Sequence, residues 1–191
     1  MSILTLALPG VSKEGFLPRE AVRDAAAKLG AQGFREAYPA PALLVTEVTL
    51  GPDAPADGDA DATVRNGPQL MTLIKHGASA FRYMDQVGFL VKRPGNAFPQ
   101  FVSVGRAANN DLVLAVERVS KFHAYFTNVL DSWSLTDYRS TNGTKLNGEK
   151  LEPNQPRPLQ DGDVIEFGDQ IELRFLAPEA FYESLRGRSP S

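Results

Sequence analysis

STNGTKLNGEKL, at residues 140–151, is two strands and the turn between them. Asn147-Gly148 stands between Lys145-Leu146 and Glu149-Lys150-Leu151. A two-residue Asn-Gly link between such runs is a strong hairpin signal, because both central residues must take positive φ. Outward from this hairpin, a period of two continues in both directions. Ile171, Leu173 and Phe175 alternate with Glu172 and Arg174; Trp133 and Leu135 alternate with Ser134 and Thr136. Phe101, Ser103 and Gly105 alternate with Val102 and Val104, and Phe89 and Val91 with Leu90 and Lys92. Asp161-Gly162 marks another tight turn. Short strands divided by Gly, Asn, Asp and Pro clusters predict a mainly β protein, a sandwich over residues 81–177.

Residues 1–80 have a different texture and are expected to form a small α+β extension. Pro18 sets the first helical turn, Ala21, Val22, Ala25, Ala26 and Leu29 share one face, and Gly30 ends the helix. The run 42–50 is rich in β-branched residues and reads as a strand. The acidic stretch GPDAPADGDADAT, 51–63, cannot bury anything and reads as a linker, and 69–76 as a short helix or turn. At the other end, Pro178 opens a short helix that stops before Gly187, followed by a frayed tail to residue 191.

Bulk properties remove several classes of function. The net charge of −3 speaks against binding nucleic acid or an anionic membrane through a general positive field. The chain has no cysteine and only two histidines, His76 and His123, so neither thiolate chemistry nor a histidine-rich metal site is expected. No apolar run approaches the roughly 20 residues that cross a bilayer, and MSILTLALPG lacks the basic lead of a signal peptide. A cytoplasmic protein without cofactor is the expectation.

The loops of the β region carry the chemistry. VGR at 104–106, SKFHA at 120–124 and STNGT at 140–144 place Arg106, Lys121, Ser120, Thr141 and Asn142 at strand ends. A phosphorylated hydroxyl brings about −1.5 to −2 charges and three acceptor oxygens. Two cations and two short hydroxyls match that load, and a guanidinium fork can pair two phosphate oxygens at once. Asn142 can both donate and accept, which suits gripping a peptide main chain, and Asn-Gly is also a turn signal in its own right. Gly105 and Gly143 would let backbone approach closely. Ser120, His123 and Asp137 do not compose a credible hydrolase: the histidine follows the serine by three residues on an emerging strand, and no strand–elbow–helix holds the serine. No GxxxxGK loop is present either.

These strings, with NNDL at 109–112 and DGDVIEFG at 161–168, resemble the forkhead-associated (FHA) domain in order and spacing, over residues 81–177, about half the chain. The resemblance implies a sandwich of about eleven strands that binds phosphothreonine peptides, non-catalytic and without metal. It implies that Arg106 contacts phosphate, Ser120 and Thr141 donate hydroxyls, Lys121 assists, and Asn142 holds the peptide main chain. His123 then has a structural role, and Arg118 faces peptide residues after the phosphothreonine. The implied partner is a phosphothreonine-bearing protein, a Ser/Thr kinase or its substrate, with no nucleic acid or membrane. The alternative is a phosphate-independent assembly protein that uses the sandwich and the N-terminal extension as a scaffold.

Overall fold

The computed structural model describes residues 8, 10–49, 82–96 and 98–187. The acidic stretch 51–63, the segment 69–76 and the tail 188–191 lie outside the described residues. The chain runs through β1 (Phe16–Pro18), α1 (Arg19–Ala37), β2 (Ala42–Val48), β3 (Gln86–Phe89), β4 (Val102–Gly105) and β5 (Leu112–Val113). It continues through β6 (Ala124–Val129), β7 (Ser132–Asp137), β8 (Thr144–Leu146), β9 (Glu149–Lys150) and β10 (Arg157–Pro158). It closes with β11 (Val164–Phe167), β12 (Ile171–Leu176) and a helix, here α2 (Pro178–Leu185). The larger sheet is ordered β1-β3-β2-β12-β11-β8-β9 and the smaller β10-β7-β6-β4-β5.

The sandwich core lies between the sheets. Leu43, Val45, Ile165, Leu173 and Phe175 meet Val102, Val104, Phe126, Trp133 and Leu135 there. A second core lies on the outer face of the larger sheet, where Ala42, Leu44, Val87 and Phe89 pack against Val22, Ala26 and Phe34 of α1 and Phe181 and Leu185 of α2. Strand β2 is therefore covered on both faces, which explains why Ala42-Leu43-Leu44-Val45 is an unbroken apolar run rather than an alternating one. Alternation is informative only where one face is wet.

The larger sheet does not respect a boundary at residue 80. Strand β2 is an interior strand, antiparallel to β12 over Ala42–Val48 and to β3 over Ala42–Leu44. The N-terminal residues are built into the sandwich because the β12 edge would otherwise expose unpaired backbone. Helix α1 breaks at Gly30 (φ 66°, ψ −178°), and helical turns resume as far as Ala37. The expected apolar face gives out just before that break: Val22 and Ala26 are buried but Leu29 is 48% exposed, and past it Phe34 returns to the core. The Asn147-Gly148 turn has φ 51° and 80°, with Leu146 opposite Glu149.

Candidate functional site

The site loops meet at one end of the sandwich. After β4 the chain leaves the sheet with the Arg106 N–H donating to the Ser120 carbonyl (2.9 Å) and the Ala107 N–H to the Lys121 carbonyl (3.1 Å). This seam is tight at Gly105, where an added Cβ would sit 2.5 Å from the Lys121 oxygen. Any side chain would push the two loops apart. Asn110 fastens the same seam, its Nδ2 donating to the Ala107 carbonyl (2.8 Å) and the Lys121 carbonyl (2.7 Å).

Ser120 links the second loop to the third. Its Oγ accepts from the Thr141 N–H (3.0 Å) and lies 3.3 Å from the Thr141 hydroxyl. Beneath them His123 is fully buried. The Ser120 N–H donates to His123 Nδ1 (3.0 Å), so that nitrogen carries no proton, and Nε2–H faces the Gly143 carbonyl (3.1 Å). Burial pushes the imidazole below its ordinary value, against the opposing pull of the Gly143 carbonyl and the Asp137 carboxylate. A neutral His123 is thus a two-ended strut between the loops that hold Ser120 and Gly143. Gly143 has φ 86°, a backbone that L side chains rarely adopt.

Asp137, at the end of β7, organises the third loop. Its carboxylate accepts from the Ser140 N–H (3.0 Å), the Ser140 hydroxyl (2.6 Å) and the Thr144 hydroxyl (2.6 Å). Behind β4, buried Asp111 accepts from Lys92 Nζ (2.7 Å), the Ser103 N–H (2.8 Å), the Ser103 hydroxyl (2.9 Å), the Arg93 N–H (3.0 Å) and Asn96 Nδ2 (2.9 Å). Sequence reasoning singled out neither role. NNDL contained Asn110 and Asp111, but nothing local shows that their partners lie on other loops.

The structure brings Arg106, Ser120, Lys121, Thr141 and Asn142 onto three abutting loops. Arg106 is exposed, and its Nε donates to the Val119 carbonyl (3.1 Å), which fixes the plane of the guanidinium. Lys121 and Thr141 are also exposed. Asn142 donates through Nδ2 to the Arg118 carbonyl (2.8 Å), so its side chain ties two loops in the structure. Arg118 is held against the turn after β11, with Nε on the Gly168 carbonyl (3.0 Å) and Nη2 3.8 Å from Asp169. Ser120 Oγ points to Thr141, and only its backbone meets His123. This geometry offers no hydroxyl–imidazole hydrogen bond of the kind that activates a serine.

Residues 102–168 match the FHA domain family. Over 89 residues the chain is 35% identical to the ABC transporter ATP-binding/permease protein Rv1747 of Mycobacterium tuberculosis, covering 44% of this chain and 10% of that protein. It is 37% identical over 75 residues to the human angiogenic factor with G patch and FHA domains 1, covering 37% of this chain and 10% of the relative. The chain therefore spans only about a tenth of either relative's length. Among solved structures it is similar to the MEK1 FHA domain in complex with a HOP1 phosphothreonine peptide, with 31% identity, a TM-score of 0.40, and coverage of 48% of this chain and 87% of that one.

Proposed function

The chain carries an FHA domain over residues 102–168, and from that premise we propose that it is a phosphothreonine-peptide reader, acting as an adaptor or regulator in Ser/Thr kinase signalling. FHA domains are binding modules known for phosphothreonine peptides. One observation carries the reading for this chain: the Arg106 backbone is bonded to Ser120, and the Ser120 hydroxyl is bonded to Thr141. These bonds join the loops of Arg106, Ser120 and Thr141 at one end of the sandwich, which supports a shared phosphate contact by the guanidinium and the two hydroxyls. Arg106 and Lys121 supply charge against a dianion, and Ser120 and Thr141 supply short donors. Asn142 grips the peptide main chain beside the phosphothreonine. Arg118, already committed to Gly168 and Asp169, presents its outer edge to the residues that follow.

An oriented phosphothreonine peptide library, followed by calorimetric titration of the best binder and its unphosphorylated twin, tests the assignment. The phosphorylated form binds and the twin does not. Arg106→Ala costs about 2–5 kcal/mol of binding, as for removing one member of a desolvated charge pair. Arg106→Lys also weakens binding, because a point charge cannot reproduce the fork. Equal binding of the two peptide forms overturns the reading.

A further inference from the structure

At the opposite end of the sandwich, beside the end of the core, lies a cleft of about 820 Å³. Trp133, Leu159, Phe175 and Leu90 form its apolar walls. The inward-facing row of β6, which places Ala124 and Phe126 in the core, ends in this cleft at Asn128, opposite Trp133. The Oδ1 of Asn128 is buried there without a hydrogen-bond partner among the described residues. A buried unsatisfied carbonyl is costly, so the sandwich end at this cleft is less completely satisfied than the end at His123.

Two further features converge on the rim. The β6–β7 turn is Leu130-Asp131, with φ of 51° and 62°, a mirror-image turn whose usual occupants are Asn and Gly. A left-handed backbone crowds the Cβ of a leucine, yet Leu130 stands 81% exposed, beside Val129 at 66%. The residue is strained, apolar and in water at once. The charged side chains lining the cleft, Asp131 and Asp161, are both acidic, and neither is in an ion pair among the described residues.

We propose that this cleft is a second, phosphate-independent docking site for a partner protein segment that inserts an apolar side chain and carries a Lys or Arg against Asp131 and Asp161. The charge of the lining selects a cationic partner, and the exposed Val129-Leu130 edge supplies the surface that its flanking residues cover. The site lies at the far end of the sheets from Arg106, so one chain can hold a phosphopeptide and a second partner together.

The test is amide NMR on the full chain, titrated with a capped Lys-Leu-Phe-Lys peptide and with Glu-Leu-Phe-Glu as control. The basic peptide shifts the Asn128 side-chain amide, the Trp133 indole N–H and the Leu130 amide together and saturably, and the acidic peptide leaves them in place. The double variant Asp131→Asn, Asp161→Asn, which keeps the acceptor on Ala177 N, weakens the basic peptide about tenfold; Leu130→Asn weakens it too. Arg106→Ala changes none of these shifts, which separates this site from the phosphate reading. Absent shifts at millimolar peptide, or equal shifts with the acidic control, overturn the proposal. So does self-association by sedimentation that Leu130→Asn abolishes, since the cleft would then belong to a second copy.

Discussion

The two ends of the sandwich solve the problem of loop ends in opposite ways. At the Arg106 end, polar side chains are buried and bonded: His123, Asn110, Asp111 and Asp137 are each almost wholly inaccessible, the first three bonding to other loops and Asp137 closing its own loop onto Ser140 and Thr144. At the Leu130 end, an apolar cleft is left open and the buried Asn128 Oδ1 has no partner among the described residues. The first arrangement fixes positions closely, as recognition of a tetrahedral dianion requires. The second tolerates variety in shape while rewarding burial of apolar surface. Rigidity and adhesiveness have been placed at different ends.

If the polar end owes its shape to buried carboxylates, removing one should cost far more than a surface change. The largest effect is expected for Asp111→Ala. It leaves Lys92 buried without its partner and strips the acceptor from Ser103, Arg93 and Asn96. The expected loss is about 3–5 kcal/mol in urea denaturation. Adding Lys92→Met to that variant should restore part of the loss, because the uncompensated charge is then gone. A loss no larger than a typical surface substitution would break the contrast.

Asp137→Ala is expected to come second, at about 1.5–3 kcal/mol, since three donors on Ser140 and Thr144 lose a charged acceptor. Its sharper readout is binding. The loop carrying Thr141 and Asn142 is no longer held, so phosphopeptide affinity should fall although Asp137 touches no ligand. A destabilised variant that still binds at full strength at low temperature would show that the loop needs no anchor.

His123 gives the same end a pH dependence, and the sign follows from its position. Its folded-state value lies below the ordinary 6.5 because burial disfavours the charged form. At acid pH the unfolded chain therefore takes up a proton that the folded chain refuses. Stability is fully present above about 6.5 and declines as pH falls from there toward the folded value, by at most about 1.4 kcal/mol per pH unit for one proton. A charged ring would also carry a proton on Nδ1, opposing the Ser120 N–H that donates to it. In His123→Gln this portion of the pH profile should be flat; an unchanged slope would assign the effect to other groups.

Most of the fold, and the loops that bring Arg106, Ser120, Lys121, Thr141 and Asn142 to one end of it, could be read from the chain, because turn chemistry is local. Asn147-Gly148 states its own φ angles, and loop motifs at strand ends carry their chemistry in their residue types. What could not be read depends on partners distant in sequence. Lys92 is at 3% exposure only because Asp111, on another loop, accepts its charge. Strand β2 reads as a strand, but its insertion between β3 and β12 depends on surfaces far along the chain. Gly30 correctly signals a break, yet the helical turns after it gain their stability from Phe34 packing on Phe181, with ring centroids 6.1 Å apart. The β6–β7 turn was invisible for a different reason: Leu-Asp does not favour the conformation it adopts.

That last turn permits the finest comparison, because the chain contains its own control. Leu130-Asp131 and Asn147-Gly148 are both two-residue links with positive φ at both positions, joining adjacent antiparallel strands. One follows the residue preference of such turns and the other violates it. Replacing Leu130-Asp131 by Asn-Gly should therefore stabilise the fold, by about 1 kcal/mol in the denaturation midpoint, since the left-handed penalty on leucine is relieved while the pairing of Val129 with Ser132 is kept. The same change removes the exposed apolar tip and one of the two cleft carboxylates, so binding of the basic peptide should weaken as stability rises. Opposite movement of the two quantities is the signature of strain kept for an interaction. If the double substitution left stability unchanged, the leucine would be at ease in its turn, and the two hairpins would differ in sequence but not in energy.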